Sequence, residues 1–526
     1  MKLAQKLLNP TKVNAYYTLI VLFLVNLVNY MDRYTVATVL GQIQKYLNIN
    51  DSQGGALQTV FICAFMIFAP LFGYLGDRYS RKWCIVVGIL VWCASVLGST
   101  FVNESQFGIF LFCRALVGVG EASYGTVAST LIADHFTGNA RTNALTLFYF
   151  AIPVGSGLGF AIGALVTAAL NSWKWGLRIS PIIGLLLVLL VLLFKEPKRG
   201  RSDTVTEAGE PDSEEPGNQK GGLKDWISDI RQLLRNRSWV LTSLGFTCIT
   251  YTSGTVSWWA TSFLEYSQTY YLPDYNATTG SLVFGVVLML AGLFGTISGG
   301  AIAQMWRKRN PRADPLVCGI GLLIAGPAVY LALTLSQYNL TAAWVCVFIG
   351  VFMLSLNWAI TPDILLYTVT PEKRATATAF QILLSHLLGD ATSPYITGVI
   401  SDTISAEQNS VYYHFIGLQS AMYLSAFITV LGAFFYMATA WYVLEDKRKA
   451  KEESMLKLKL KLASKGGAPV PVNLETQPSP RLPVLANSPS TESYSATSTL
   501  TLSSASDYTS RPTVPAHPTT SNVIYL

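Results

Sequence analysis

The sequence predicts an all-α integral membrane protein with about twelve membrane-spanning helices. The first observation is composition: 51% of the 526 residues are hydrophobic and 13% are charged, whereas soluble domains carry roughly 25% charged residues. The second is a series of long apolar stretches, and the third is an excess of basic residues in alternate loops. Together these exclude an ordinary soluble protein.

The apolar stretches each approach the length of about 20 residues that a helix needs to cross the hydrocarbon core of a bilayer. The first stretch is longer than the apolar core of a signal peptide and has no small-residue cleavage site, so we expect it to remain as the first membrane helix. The predicted spans are residues 16–36, 54–76, 83–102, 107–133, 143–169, 176–194, 239–263, 280–304, 314–336, 342–368, 376–400 and 415–443.

The basic residues predict the orientation in the membrane. They lie in every second loop, and the intervening loops hold little beyond Lys45 and Lys174. Because basic loops stay on the cytoplasmic side, both termini are expected there. The net charge of +7 therefore reflects topology, and the absence of a continuous basic patch argues against nucleic-acid binding. The basic loop residues are Arg78, Arg81, Lys82, Arg141, Lys195, Lys198, Arg199, Arg307, Lys308, Arg309, Arg312, Lys373 and Arg374.

A polar linker divides the chain into two halves. Residues 199–222 are rich in Glu, Pro, Gly and Ser and have too little apolar content to pack. Residues 223–234 have helical apolar spacing, which suits either a helix on the membrane surface or a solvated linker helix. The predicted organisation is a cytoplasmic N-terminus (1–15), a six-helix bundle (16–194), a cytoplasmic linker (195–238), a second six-helix bundle (239–443), and a cytoplasmic tail (444–526) that is first basic and then disordered.

The turn after the second span, residues 73–82, predicts a latch between helices at the cytoplasmic face of a transporter. Gly73 and Gly76 allow close helix approach, and Asp77 is followed by a basic cluster that begins with Arg78 and Arg81. The turn after span eight repeats this pattern weakly, with Gln304 in the acidic position. Two parallel six-helix repeats are an architecture of transporters, with the substrate site between the halves.

Four ionisable residues in the first half are candidates for transport chemistry. Asp32 and Arg33 lie near the end of span one, and Arg114 and Glu121 lie in span four. Ionisable groups inside a membrane are costly and often functional. Seven residues separate Arg114 from Glu121, which places both on one helix face about 10 Å apart.

These residue types suit proton exchange and anion binding. Asp32 and Glu121 can exchange protons as a neighbouring arginine approaches or withdraws, and arginine can bind a phosphate through two hydrogen bonds. The alternative is a set of permanent interhelical ion pairs.

Other residues have two interpretations each. His386 and Asp390, one turn apart in span eleven, form either a second polar relay or a hydrogen bond without a transport role. Trp258 either lines an apolar cavity or anchors the helix at the membrane interface. The glycines and proline between Phe148 and Gly159 predict either a hinge or close packing. Of the Asn-x-Ser/Thr sequons on the side opposite the basic loops, Asn276 is the best glycosylation candidate.

Several motifs together give a resemblance to a known family. The segment from Gly73 to Lys82 resembles the signature of the major facilitator superfamily, except that Ser80 replaces a usual glycine. Residues 14–443 resemble, more narrowly, the spinster family of lysolipid and sphingolipid transporters. The motifs that carry this resemblance are YMDRYTVA from Tyr30, QTVFI from Gln58, RALVGVGEASY from Arg114 and FYFAIPVGSGLG from Phe148.

The resemblance implies the major facilitator fold and secondary active transport of a lysophospholipid, sphingosine or sphingosine-1-phosphate by proton-coupled alternating access. Asp32 and Glu121 would be protonation sites, and Arg33 and Arg114 their partners or headgroup ligands. The turn with Gly73, Asp77, Arg78 and Arg81 would be the cytoplasmic gate. Tyr149 and Trp258 are further candidates for substrate contact. The family favours the late endosome or lysosome membrane over the plasma membrane.

Other functions remain open at this point. A facilitator for a small organic anion or a sugar would share the fold, and a membrane scaffold that binds partners through its tail would share the topology. No nucleotide-binding, hydrolase or metal-binding motif is present, so we expect no enzyme activity, no cofactor and no metal, with a proton gradient as the driving force. A monomer is expected from the fold.

Overall fold

The computed structural model describes residues 10–197, 230–271, 276–405 and 410–464, and within these ranges the regular structure is helical. The linker from 198 to 229, most of the predicted surface helix and the tail after 464 lie outside the described residues. The helices are α1 Pro10–Thr38, α2 Leu40–Leu47, α3 Asp51–Arg78, α4 Arg81–Ser99, α5 Phe107–His135, α6 Gly138–Leu170, α7 Trp173–Leu193, α8 Arg237–Tyr271, α9 Ala277–Arg307, α10 Ala313–Leu335, α11 Leu340–Ser355, α12 Asn357–Thr368, α13 Arg374–Ser385, α14 Ser393–Ser405 and α15 Val411–Ser464.

The predicted all-helical membrane fold is confirmed, and two further helical segments of the described chain accompany ten candidate crossings, in line with the predicted number of about twelve. Ten are long and apolar enough by length and composition, with α11 and α12 forming one crossing. The seventh crossing is α8, a helix of 35 residues rich in Ser and Thr. The eleventh is interrupted: α13 ends at Ser385, a π-helical turn follows at His386–Asp390, and α14 continues from Ser393. The last crossing, α15, continues without a break past residue 443 to Ser464.

The first six crossings form one bundle in which α1 packs on α6, and both α3 and α4 pack on α5. Glycine allows these close approaches. A Cβ on Gly118 would lie 2.2 Å from the carbonyl oxygen of Phe61, and one on Gly155 would lie 2.5 Å from that of Leu27. Such small-residue contacts bring helix backbones together where lipid supplies little hydrophobic driving force. The glycines of α6 are therefore packing positions, as one of the two interpretations predicted.

The last six crossings form the second bundle, in which α15 packs along both α8 and α10. The Asp446 carboxylate accepts hydrogen bonds from the backbone N–H and the hydroxyl of Ser238, at 2.9 and 2.7 Å. These bonds stabilise the first turn of α8, whose N–H groups lack partners within the helix. The hydroxyls of Thr361 and Tyr436 lie 2.6 Å apart and join α12 to α15.

The molecule has two sides that differ in their loops. The basic side holds the α3–α4 loop with Arg81, and the opposite side holds the α4–α5 loop with Asn103. Near the opposite side the bundles are joined directly, through α3 with α14 and α6 with α9. Gly157 and Gly285 meet so closely that a Cβ on either would lie 2.7 Å from the other's carbonyl oxygen. Nothing lies within 4 Å of a Cβ placed on Gly73, near the basic end of α3. The inter-bundle contacts named above thus lie toward the opposite side, where the conformation is closed.

Candidate functional site

Asp32 is anchored inside the first bundle. Its carboxylate, fully buried, accepts a hydrogen bond from the indole N–H of Trp92 on α4 at 3.1 Å and a short one from the hydroxyl of Ser180 on α7. Asp32 therefore points away from the second bundle, toward α4 and α7. Two donors compensate in part for removing this carboxylate from water.

Glu121 lies on the other side of the same bundle, beside Arg33. The two charged groups are 3.8 Å apart, and Glu121 is only 5% exposed. The amide of Asn29, with its nitrogen turned toward the carboxylate, donates to both carboxylate oxygens at 3.1 and 2.5 Å. The structure thus brings Arg33 and Glu121 together, where the sequence left the arginine partner of each carboxylate open, and adds Asn29.

Phe61 separates the two arginines, a contact that the sequence analysis did not identify. The guanidinium of Arg33 lies 4.5 Å from the centre of this ring, and that of Arg114 lies 5.1 Å from it. A cation over an aromatic face is stabilised by about 0.5 to 2 kcal/mol, depending on burial. Because Phe61 is fully buried, its ring stabilises the guanidinium groups of Arg33 and Arg114 next to each other despite their like charge.

The charge of Arg114 on α5 interacts with the charges of both Asp32 and Glu121. The residue is 2% exposed, yet Nε and one terminal nitrogen have no hydrogen-bond partner. Leaving buried charged donors unpaired is costly. Together, Asp32, Arg33, Arg114 and Glu121 form one connected group, called the charged cluster below.

The second bundle presents His386 and Asp390 toward the charged cluster. Nδ1 of His386 lies 2.9 and 3.0 Å from the two oxygens of Asp390, so the predicted pair is formed. Arg33 interacts electrostatically with both residues, across the interface between the bundles. Both lie in the π-helical turn, a feature that frequently marks functional sites and that sequence periodicity did not indicate.

The two aromatic candidates for substrate contact occupy different environments. Tyr149 on α6 is 51% exposed, which leaves its ring available to a ligand. Trp258 on α8 is 2% exposed, and its indole N–H donates to the carbonyl of Gly54 at 3.3 Å. In this conformation Trp258 joins the two bundles.

The turn on the basic side is built around Arg81. Its guanidinium lies 2.6 Å from Asp134 at the end of α5 and 3.4 Å from Glu196 after α7. Ser80, which departs from the usual glycine, donates to Glu196 at 2.6 Å. Although burial favours the neutral acid, the hydrogen bonds from Ser80 and from the backbone of Arg81 and Lys82 hold the pKa of Glu196 below its ordinary value.

The other predicted gate residues lie at the end of α3. Gly76 packs on Val127, whose methyl group would lie 2.8 Å from an added Cβ, whereas Gly73 faces open space. Asp77 and Arg78 are exposed, and the guanidinium of Arg78 stacks on the ring of Tyr74 at 4.6 Å. Close packing is therefore observed at one of the two glycines.

The second bundle has its own ion-pair network on the basic side, despite Gln304. Arg307, at the end of α9, lies 2.9 Å from Asp314 on α10 and 3.3 Å from Asp363 on α12. Sequence reasoning missed these carboxylates, and Asp134 and Glu196 as well. Acidic residues near the ends of spans that flank basic loops were the available signal.

A second gate, on the opposite side, was also missed. The Asp402 carboxylate on α14 accepts hydrogen bonds from the backbone N–H groups of Asp51 and Ser52 at 2.9 and 2.8 Å. It therefore caps the N-terminus of α3 from the other bundle. The Asp51 carboxylate accepts from Ser401 at 2.6 Å and from Gln44 at 2.8 Å.

Asn276 is exposed and caps α9, because its side-chain oxygen accepts from the backbone N–H of Thr278 at 3.0 Å. Its position on the opposite side agrees with the predicted topology. Among the described residues, no group of three or more His, Cys, Asp or Glu side chains could hold a metal ion.

The fold and this site define a membrane transporter in which two helical bundles face each other across a charged interface. A family model described as Major Facilitator Superfamily matches residues 22–394. The chain is 44% identical over 440 residues to Protein spinster homolog 1 of Xenopus laevis, covering 82% of each chain. It is 42% identical over 436 residues to Sphingosine-1-phosphate transporter SPNS2 of Danio rerio, covering 81% of this chain and 84% of the relative.

The chain belongs to the major facilitator superfamily and, within it, to the spinster family. It is a multi-pass membrane transporter and not an enzyme. Its fold is similar to a crystal structure of a bacterial homolog to the human lysosomal transporter spinster, in an inward-facing and unoccupied conformation. The TM-score is 0.71 and the sequence identity 21%, and the match covers 82% of this chain and 98% of that one. At that identity, the likeness concerns the fold alone.

Proposed function

We propose that this protein moves a lysophospholipid or a sphingolipid of the sphingosine-1-phosphate class across its membrane by proton-coupled alternating access. The observation that carries the proposal is the position of Arg33. It lies at the interface between the bundles, held by Glu121 on its own side and facing the His386–Asp390 pair on the other.

Arg33 suits a phosphate-bearing headgroup. Its side chain is 15% exposed, so part of the guanidinium can be reached by a ligand. Guanidinium binds phosphate through two parallel hydrogen bonds. The exposed ring of Tyr149 and the apolar faces of the helices offer surface for a lipid chain. The name of the Danio rerio relative supports a substrate of this class.

Glu121 couples the proton to the substrate through competition for Arg33. An ionised Glu121 attracts Arg33, and a protonated Glu121 releases it, so that the phosphate of the substrate becomes its stronger partner. Asn29 can hydrogen bond to the carboxyl group in either state by reorienting its amide. Binding of the lipid headgroup and binding of the proton therefore favour each other.

Asp32 and Arg114 provide a second proton site of the same kind inside the bundle. Arg114 has two unpaired nitrogens in this conformation and interacts with both carboxylates. A small rotation of α1 against α5 would bring it to one carboxylate or the other. The proton state of Asp32 thus influences Glu121 through the position of Arg114.

Alternating access requires the opposite-side gate to open while the basic side closes. The contacts that join the bundles on the opposite side are a few hydrogen bonds and glycine contacts, and Gly73 on the basic side has room for a partner helix. We further propose that both termini are cytoplasmic, that the protein acts as a monomer in late endosomes or lysosomes, and that Asn276 carries a glycan.

The test is flux of labelled lysophospholipid and sphingosine-1-phosphate into proteoliposomes, with and without a proton gradient. Gradient-stimulated flux is expected in the wild type, and we expect Glu121→Gln and Asp32→Asn to lose that stimulation. Arg33→Lys should raise KM for a phosphate-bearing lipid, because the ammonium group of lysine cannot form the bidentate hydrogen bonds that a guanidinium makes to phosphate. Glu452→Gln, at an exposed position on α15, is the control and should retain flux.

Two results would overturn the proposal. Equal gradient-stimulated flux in the wild type and both carboxylate variants would remove the proton mechanism. Flux of a small organic anion or a sugar, without flux of either lipid, would assign the arginine site to a soluble substrate instead.

A further inference from the structure

A polar cavity lies between the bundles, on the opposite side of the molecule. It has a volume of about 290 Å³ and is bounded by α1, α2 and α6 from the first bundle and by α8 and α9 from the second. Most of its polar lining groups are neutral hydroxyls and amides. They are Thr38, Gln42, Thr167, Asn171, Thr261, Thr278 and Ser281.

This cavity is separate from the charged cluster. The rings of Phe160 and Phe284 meet edge to face at 4.9 Å, and Tyr34 lies 5.4 Å from Phe160. With Gly157 against Gly285, these aromatic contacts close the interface between α6 and α9 on the inner side of the cavity. All lining residues of α6 follow Phe160, and all those of α9 precede Phe284.

Glu265 of α8 is the one carboxylate among the residues that line the cavity. No hydrogen bond or ion pair to it is present within the described part of the chain. Lys45 is near enough for its charge to act on Glu265 but forms no ion pair with it. Gly41 of α2 allows the carboxylate to lie close, since an added Cβ would be 3.2 Å from Oε2.

The size and lining of the cavity indicate the kind of ligand. A bare Ca²⁺ or Mg²⁺ ion prefers several carboxylate or carbonyl oxygens at short distance, and one carboxylate in a space of about 290 Å³ does not offer that. The volume exceeds the roughly 30 Å³ share of one water several-fold. Hydroxyls beside the methyl groups of Val39, Ala164 and Leu264 suit a small organic cation.

We propose that this cavity is a binding site for an organic ammonium group, with Glu265 as its counter-ion. The ligand is a primary or quaternary amine that enters from the opposite side, either as a free amino alcohol or as the headgroup of a lipid. Because the cavity is formed by both bundles, and opening on that side would separate its walls, an occupant stabilises the conformation that is closed there. Bound amine therefore slows the change of conformation during transport.

The experiment measures binding to the purified full-length protein by thermal stability, independently of transport. The probes are choline, ethanolamine, lysophosphatidylcholine and 3,3-dimethyl-1-butanol, the uncharged analogue of choline. Choline or ethanolamine is expected to raise Tm in a saturable way, whereas the uncharged analogue should not. We expect Glu265→Gln to weaken binding by about tenfold or more, as loss of a buried charge partner does. Glu104→Gln, exposed on the same side, should bind as the wild type.

A second variant keeps the carboxylate and fills the space. Ala168 is a lining residue on α6, and Ala168→Phe should abolish the Tm shift while Glu265 remains. A response to choline identifies a free amine as the source, and a Glu265-dependent response to lysophosphatidylcholine alone identifies a lipid headgroup.

The proposal is overturned if the uncharged analogue binds equally well, if Glu265→Gln binds every probe as the wild type does, or if no amine changes Tm. Lipid flux could persist in each case, so the transport proposal is tested separately.

Discussion

Substitution of Asp402 by Asn is expected to weaken the closure of the opposite side. Its carboxylate accepts two backbone hydrogen bonds from the first turn of α3, at 2.9 and 2.8 Å, across the bundle interface. Hydrogen bonds to a charged group contribute about 1.5 to 3 kcal/mol each, and a negative charge at a helix N-terminus adds about 0.3 to 1 kcal/mol. Asn retains one neutral acceptor and loses the charge.

The net effect is smaller than the sum of these contributions, because neutralising Asp402 also relieves its repulsion from Asp51. A loss of about 2 kcal/mol remains, which reduces the population ratio of closed to open conformers by about 30-fold. Since the two bundles rotate against each other, this change should be visible as a longer distance between them on the opposite side.

Pulsed electron paramagnetic resonance between spin labels measures that distance. Labels at position 104, in the α4–α5 loop, and at position 338, before α11, lie on different bundles and are exposed. Asp363→Asn is the matched control, because Asp363 pairs with Arg307 inside the second bundle. A distance distribution for Asp402→Asn that coincides with the wild type would refute the role of Asp402 as an inter-bundle cap.

Three further predictions concern packing and charge. Phe61→Leu should lower Tm and raise KM for a phosphate-bearing lipid, because about 1 to 2 kcal/mol of cation–π stabilisation is lost for each arginine; a Tm and KM equal to the wild type would contradict this. Gly157→Ala should lower the free energy of unfolding by about 1 to 3 kcal/mol, since its Cβ would lie 2.7 Å from the carbonyl oxygen of Gly285. The control is Gly108→Ala, whose added Cβ meets nothing within 4 Å and should leave Tm unchanged. Glu196 has a lowered folded-state pKa, so its contribution to stability is complete above the ordinary carboxyl pKa of about 4.3 and is lost as pH falls through the lowered value. Tm measured from pH 7 to pH 3 should therefore fall less steeply in Glu196→Gln than in the wild type, and parallel curves would exclude the effect.

The membrane architecture could be predicted because its determinants are local. Whether a segment crosses the bilayer depends on the transfer of its own residues into lipid, and a helix satisfies its own backbone hydrogen bonds there. The same holds for pairs on one helix: His386 and Asp390 are four residues apart and meet. The eleventh crossing was identified, yet its π-helical turn was not, since the sequence pattern does not reveal an extra residue in a helical turn.

The chemical composition of the charged cluster also followed from the sequence, because ionisable residues stand out in apolar spans. Its geometry did not follow. Asp32 and Arg33 are neighbours in the chain, but Asp32 points to Trp92 and Ser180 inside the bundle, while Arg33 points to Glu121 and the second bundle. Adjacent residues on a helix project about 100° apart, and the packing of α1 determines which neighbours each direction meets.

Contacts between distant parts of the chain were beyond prediction from one sequence. Asp402 caps a helix whose first residue is 351 positions away, and the cavity at Glu265 exists only where five helices from two bundles surround it. The amino-acid order therefore specified which segments enter the membrane and which charges they carry, because the free energy of transferring each segment to lipid is a local property. The side that is closed, the partner of each charge and the position of the cavities depend on how the helices pack, and that packing is set by the shapes of all their surfaces together.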